Sequence, residues 1–122
     1  MREDTTTDAE RYARLIADEV AALERGELDG FDPDDTYHDG DVIGTWLDQC
    51  ALDVEVARSL TTGDVTAVEV ARTIGGPGCW ITFRNVGDAE VVAVWGGDRA
   101  TRYVAAEGVA TYLIDYAEAV TA

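Results

Sequence analysis

Two hydrophobic periods divide this chain. In its first part apolar side chains recur at helical spacing: Tyr12, Leu15, Ile16, Val20 and Leu23 form one stripe, and Arg14, Asp18 and Arg25 lie opposite. Thr7-Asp-Ala-Glu10 fits a capping box that starts this helix, and Gly26 stops it. A shorter helix is expected over residues 41 to 50, with Ile43, Trp46, Leu47 and Cys50 on one stripe and Asp39 or Asp41 as its cap. Trp46 reads as core. The period then changes from 3.6 to 2. Leu52, Val54, Val56 and Leu60 alternate with Asp53, Glu55, Ala57 and Ser59, which predicts a strand with the first set facing inward. Thr61-Thr-Gly-Asp64 is a hairpin turn, and Val65 to Ile74 runs back with Val68, Val70 and Ile74 on one face.

A second hairpin follows. Cys79, Ile81 and Phe83 alternate with Trp80, Thr82 and Arg84, Asn85-Val-Gly-Asp88 is turn chemistry, and Glu90 to Trp95 returns. Gly75-Gly76-Pro77-Gly78 and Gly96-Gly97 lie at the same end of this hairpin, where glycine permits positive φ or a close approach. Asp98-Arg-Ala-Thr101 reads as the approach to a last helix, whose stripe is Val109, Tyr112, Leu113, Tyr116 and Val120. The expected fold is α+β: a four-stranded antiparallel meander, with two N-terminal helices and one C-terminal helix packed on one face. Residues 1 to 6 read as a polar tail and 7 to 122 as one domain.

Composition adds one strong fact. Asp and Glu number 25 against 9 Lys plus Arg, for a net charge of −16, and every one of the basic residues is arginine. On a small domain in dilute buffer such a charge repels itself, whereas in molar salt the Debye length falls to about 3 Å and the repulsion is screened. Lysine, an apolar stem ending in a point charge, gains least there. The acids are spread over every segment, which favours a solvated, salt-adapted surface that condenses cations non-specifically. An acidic mimic of DNA would concentrate them on one side. No basic stripe is present, so direct nucleic-acid binding is not expected. Hydrophobic residues at 47% support a core, no apolar run is long enough to span a bilayer, and the N-terminal Met-Arg-Glu-Asp-Thr lacks a signal peptide's apolar segment; the expected location is cytoplasmic.

Candidate chemistry is sparse. The sole histidine, His38, sits in an acidic loop over residues 27 to 41, but Asp32-Pro-Asp34-Asp35 does not continue as a calcium loop: Tyr37 and Ile43 occupy its sixth and twelfth positions. Cys50 and Cys79 both fall on apolar faces and read as buried thiols. Gly75-Gly-Pro-Gly lacks the lysine of a phosphate-binding loop. No cofactor, metal site or catalytic residue is expected. The candidate contact surface is Trp80, Trp95, Asp98, Arg99 and Arg102, because interfaces enrich tryptophan and arginine anchors. Trp80 is expected to point away from the helices.

Trp46 to Asp48, Leu52 to Glu55, the Gly-Gly-Pro-x-x-Trp run of Gly75 to Trp80 and the Trp-Gly-Gly-Asp run of Trp95 to Asp98 resemble, in order, a family of small uncharacterised proteins carried by haloarchaea and by plasmids and prophages. The resemblance covers residues 40 to 122 and brings no established activity with it. The family pattern has a polar residue after Gly-Gly-Pro; Gly78 stands there in this chain, so no side-chain contact is expected from that position. The functional expectation is a non-enzymatic accessory protein of a salt-adapted cell that binds a protein partner or itself, as a homodimer. The alternatives are a small enzyme or ligand binder using the glycine-rich end as a pocket, and the acidic mimic.

Overall fold

The computed structural model describes residues 8–26, 42–73 and 78–121. The polar tail, the acidic loop with His38, Ile74 and the Gly75-Gly76-Pro77 corner lie outside the described residues. The elements run α1 (Asp8–Arg25), α2 (Val42–Cys50), β1 (Asp53–Arg58), β2 (Val65–Thr73), β3 (Gly78–Arg84), β4 (Asp88–Trp95), β5 (Asp98–Ala105) and α3 (Glu107–Thr121). The strands form one antiparallel sheet in the order β1-β2-β3-β4-β5, each paired with its neighbours in sequence. The α+β meander is as expected, but it has five strands. Asp98–Ala105 is an edge strand and not the approach to a helix. Its alternation is hidden because an edge strand is half in water: only Ala100 and Val104 pack against the core, while Arg99, Thr101, Arg102 and Tyr103 are exposed.

Both long helices lie on the same face. α1 rests on β5 and β4, and α3 crosses β2, β3 and β4. The sheet offers them Val68 and Val70, then Cys79, Ile81 and Phe83, then Ala89, Val91 and Ala93, and all are fully or almost fully buried. Each large aliphatic or aromatic side chain so buried contributes about 1.5–3 kcal/mol. The expected stripes hold in part: Ile16, Val20 and Leu23 of α1 and Val109 and Leu113 of α3 are buried, and Tyr12 and Tyr112 pack against the core. In α1 the buried residues are Ala9, Ala13, Ile16, Ala17, Val20 and Leu23, and Leu15 is exposed. In α3 they include Ala106 just ahead of the helix, then Val109, Ala110, Leu113, Ile114 and Ala117, while Tyr116 and Val120 remain exposed. Alanine makes much of the α1 contact, and the sheet beneath α1 is itself lined mostly by small residues, Ala89, Val91, Ala93, Ala100 and Val104, so small faces small. Leu52, Val54 and Leu60 also depart from the expectation: all three are exposed, and Val56 alone of that set is half-buried.

Two local devices fix the helices. Glu24, near the end of α1, accepts the backbone N–H of Gly108 at 3.0 Å and of Val109 at 2.8 Å, so its carboxylate caps α3. At the same corner Gly87, at φ 93°, turns β3 into β4; its carbonyl accepts the N–H of Ala106 at 3.0 Å, and a side chain there would meet Glu107.

Trp46 of α2 is buried as expected and meets Phe83 edge-on, with ring centroids 6.0 Å apart. Its indole N–H donates to Glu19 of α1 at 2.8 Å. The same carboxylate accepts Arg72, at 3.1 Å from Nε and 3.4 Å from Nη2. The register between β2 and β3 slips between Ala71 and Thr73, and this bulge carries Arg72 towards α1.

Candidate functional site

Among the described residues no helix lies on the sheet's second face. Strand pairing arranges its side chains in rows. One row is Asp53, Ala71, Trp80, Val92 and Thr101; the next is Glu55, Glu69, Thr82, Glu90 and Tyr103; a third is Ala57, Ala67, Arg84, Asp88 and Ala105. Val92 is 1% exposed yet stands outside the core cluster, so it is covered from this side by its row neighbours. Trp80, between Ala71 and Val92, is half-buried. Arg99, one pair further along beside Val94, lays its guanidinium 5.7 Å from the Trp80 ring centroid. Arg99 is exposed, and among the described residues it makes no ion pair.

The rest of the face is tied together. Arg84 donates from Nε to Asp88 at 2.7 Å and makes a second contact from Nη2 to the other carboxylate oxygen. The Arg84 hydrogen bonds hold the Asp88 carboxyl below the usual carboxylate range. Arg84 also lies 5.7 Å from the centroid of the Tyr103 ring, and the Tyr103 hydroxyl donates to Glu90 at 2.8 Å. That bond, followed by the charge of Glu90, pushes the Tyr103 hydroxyl above its ordinary value. Thr82 donates to Glu69 at 3.4 Å.

The five candidate residues therefore separate into two groups. Trp80 and Arg99 share the helix-free face, with Trp80 pointing away from the helices as expected. Trp95, Asp98 and Arg102 fall on the opposite side, since Trp95 and Asp98 are partners in register and Arg102 is opposite the buried Val91. There Trp95 meets Tyr12 of α1 edge-on at 6.1 Å and stays 40% exposed. Gly96 and Gly97 both have positive φ, and a Cβ on either would have open space around it, so they make a tight turn and no close approach. The grooves of about 460 Å³ between α3 and β1 and about 230 Å³ between α3 and the β3–β4 turn lie away from that end.

Both thiols are held protonated, above all by burial: Cys79 is pushed up to about 11, and Cys50, half-buried, is raised as well. Among the described residues no three His, Cys, Asp or Glu side chains gather as metal ligands. Among the same residues no helix is long and apolar enough to cross a membrane. The residues that sequence reasoning missed are Glu19 and Arg72. Their only signal was an acid inside the polar flank of α1 and an arginine ending an apolar strand. No family model matches the chain, and neither a curated protein nor a solved structure matches it.

Proposed function

We propose that this chain is a non-enzymatic accessory protein of a salt-adapted cell or its mobile elements, and that it acts by binding a protein partner or a second copy of itself through the helix-free face around Trp80 and Arg99. The observation that carries this reading is the pair itself. A half-buried indole under an exposed arginine that makes no ion pair among the described residues is the composition of an interface anchor. The surrounding Arg84–Asp88 and Tyr103–Glu90 contacts fix the side chains that make them, which lowers the entropy lost on docking. Acids on α1, β1, β2, β4, β5 and α3 support a solvated coat adapted to concentrated salt. The cytoplasmic location and the resemblance to haloarchaeal proteins belong to the same reading.

The test uses the intact protein in molar potassium chloride. Wild type, Trp80→Ala and Arg99→Ala serve as bait in parallel, and each is sedimented over a concentration series. A partner, or a self-associated species, retained by wild type and weakened about 30-fold by Trp80→Ala is the expected outcome for an anchor worth about 2 kcal/mol. An unchanged partner set together with unchanged sedimentation removes this surface from consideration.

A further inference from the structure

β1 pairs with β2 on one side, and among the described residues no strand pairs with its other side. Its outward N–H and C=O groups are a template for one more strand. Two features flank that template. On the helix side, Val54 and Val56 open onto a groove of about 460 Å³, walled opposite by Leu113, Tyr116 and Val120 of α3. Much of its lining stands in water: Leu52 is 62% exposed, Tyr116 50% and Val120 60%. On the other side of the same strand Asp53 and Glu55 are exposed, and among the described residues neither has an ion pair. Glu55 stands directly opposite Glu69, a like-charge pair that disfavours the bare edge.

We propose that this edge and groove receive an extended segment of a partner protein in which apolar and basic residues alternate. Laid beside β1, the segment becomes a sixth strand through main-chain hydrogen bonds. The strand period places its apolar side chains in the groove between Val54, Val56 and α3, and its basic side chains beside Asp53 and Glu55. Charge selects this occupant over a second copy. Pairing β1 with β1 would set Asp53 and Glu55 of both copies against one another, and pairing β1 with β5 would leave free edges and build an open array. The site is separate from the Trp80–Arg99 surface, so either can fail without the other.

The probe is a blocked synthetic peptide of alternating valine and arginine, about seven residues long, near the length of a typical strand. It is titrated into the intact isotope-labelled protein at the lowest salt that keeps the full circular dichroism of the fold. Backbone amide shifts are followed, beside a block-sequence peptide of the same composition and an alternating valine–glutamate peptide. The expected result is saturable shifts confined to β1 and the Leu113–Val120 stretch of α3, with slowed amide exchange along β1 and no response to either control. Glu55→Arg, an exposed change, is expected to weaken the arginine peptide about tenfold and to admit the glutamate peptide. Val120→Asp is expected to weaken the arginine peptide by a similar factor. Shifts centred on Trp80 or β5, equal binding of the block peptide, indifference to Glu55→Arg, or a β1-mediated dimer with no peptide bound would each overturn the proposal.

Discussion

A carboxylate at position 24 joins the two long helices, because the first N–H groups of α3 find no partner within their own helix. Glu24→Ala leaves the Gly108 and Val109 amides uncapped. The expected loss is about 1 kcal/mol, read as a fall of about 5 °C in the thermal midpoint by circular dichroism. A midpoint unchanged by the substitution would mean water caps α3 equally well. Glu19 accepts three donors from two residues on two other elements, so it resists replacement for a different reason: its removal strands a half-buried guanidinium and the indole of a fully buried tryptophan. On the helix-free face, Tyr103 keeps its proton to higher pH than a free phenol because its hydroxyl donates a hydrogen bond to the Glu90 carboxylate, whose charge adds to the effect. A raised value means the contact's stabilisation is complete below the ordinary tyrosine range and fades as pH climbs through the folded value. A ring-carbon NMR titration should place Tyr103 above the ordinary tyrosine value, and Glu90→Gln should bring it down; coincident curves would show that the bond is absent in solution.

At the scale of elements, the sequence was most legible where one side of a strand is buried. β3 and β4, with Cys79, Ile81 and Phe83 facing Ala93, Val91 and Ala89, alternate as their residues suggest. β5 was not legible because its two sides are nearly equal in exposure, so Asp98, Ala100, Arg102 and Val104 carry almost no contrast with their neighbours. The helix stripes are legible at Ile16, Val20, Leu23, Val109 and Leu113 but not at their margins: hydrophobicity marks Leu15 as core, whereas the buried positions beside the stripe are Ala13 and Ala17. Enlarging a buried alanine and trimming the exposed leucine separates these accounts. Ala13→Leu should destabilise by about 1–3 kcal/mol through overpacking, and Leu15→Ala should stay within about 0.5 kcal/mol, both measured by denaturant unfolding. Equal effects would mean that α1 sits differently on the sheet. The candidate surface was half legible for a related reason. Trp80 could be assigned a face from alternation within its own strand, but the separation of Arg99 from Asp98 and Arg102 required β5 to be a strand at all.

For the molecule as a whole, charge is the governing quantity. A net −16 on a chain of this length opposes compaction at low ionic strength. Raising potassium chloride from about 0.1 M to about 1 M shortens the screening length from about 10 Å to about 3 Å. The thermal midpoint is expected to rise over that range by about 10 °C, equivalent to about 2 kcal/mol for a domain of this size. Complete folding with a salt-independent midpoint would assign the acids to recognition and not to brine.

The meander also sets an order of assembly. Every strand pairs with the one made just before it, so the sheet can grow hairpin by hairpin as the chain leaves the ribosome. α1 precedes every strand in sequence, yet its seat is on β4 and β5, which follow the other three strands. Its Ile16, Val20 and Leu23 therefore find their cover only once β4 and β5 have been made, and the acidic residues of the same helix oppose its association with other acidic chains in that interval.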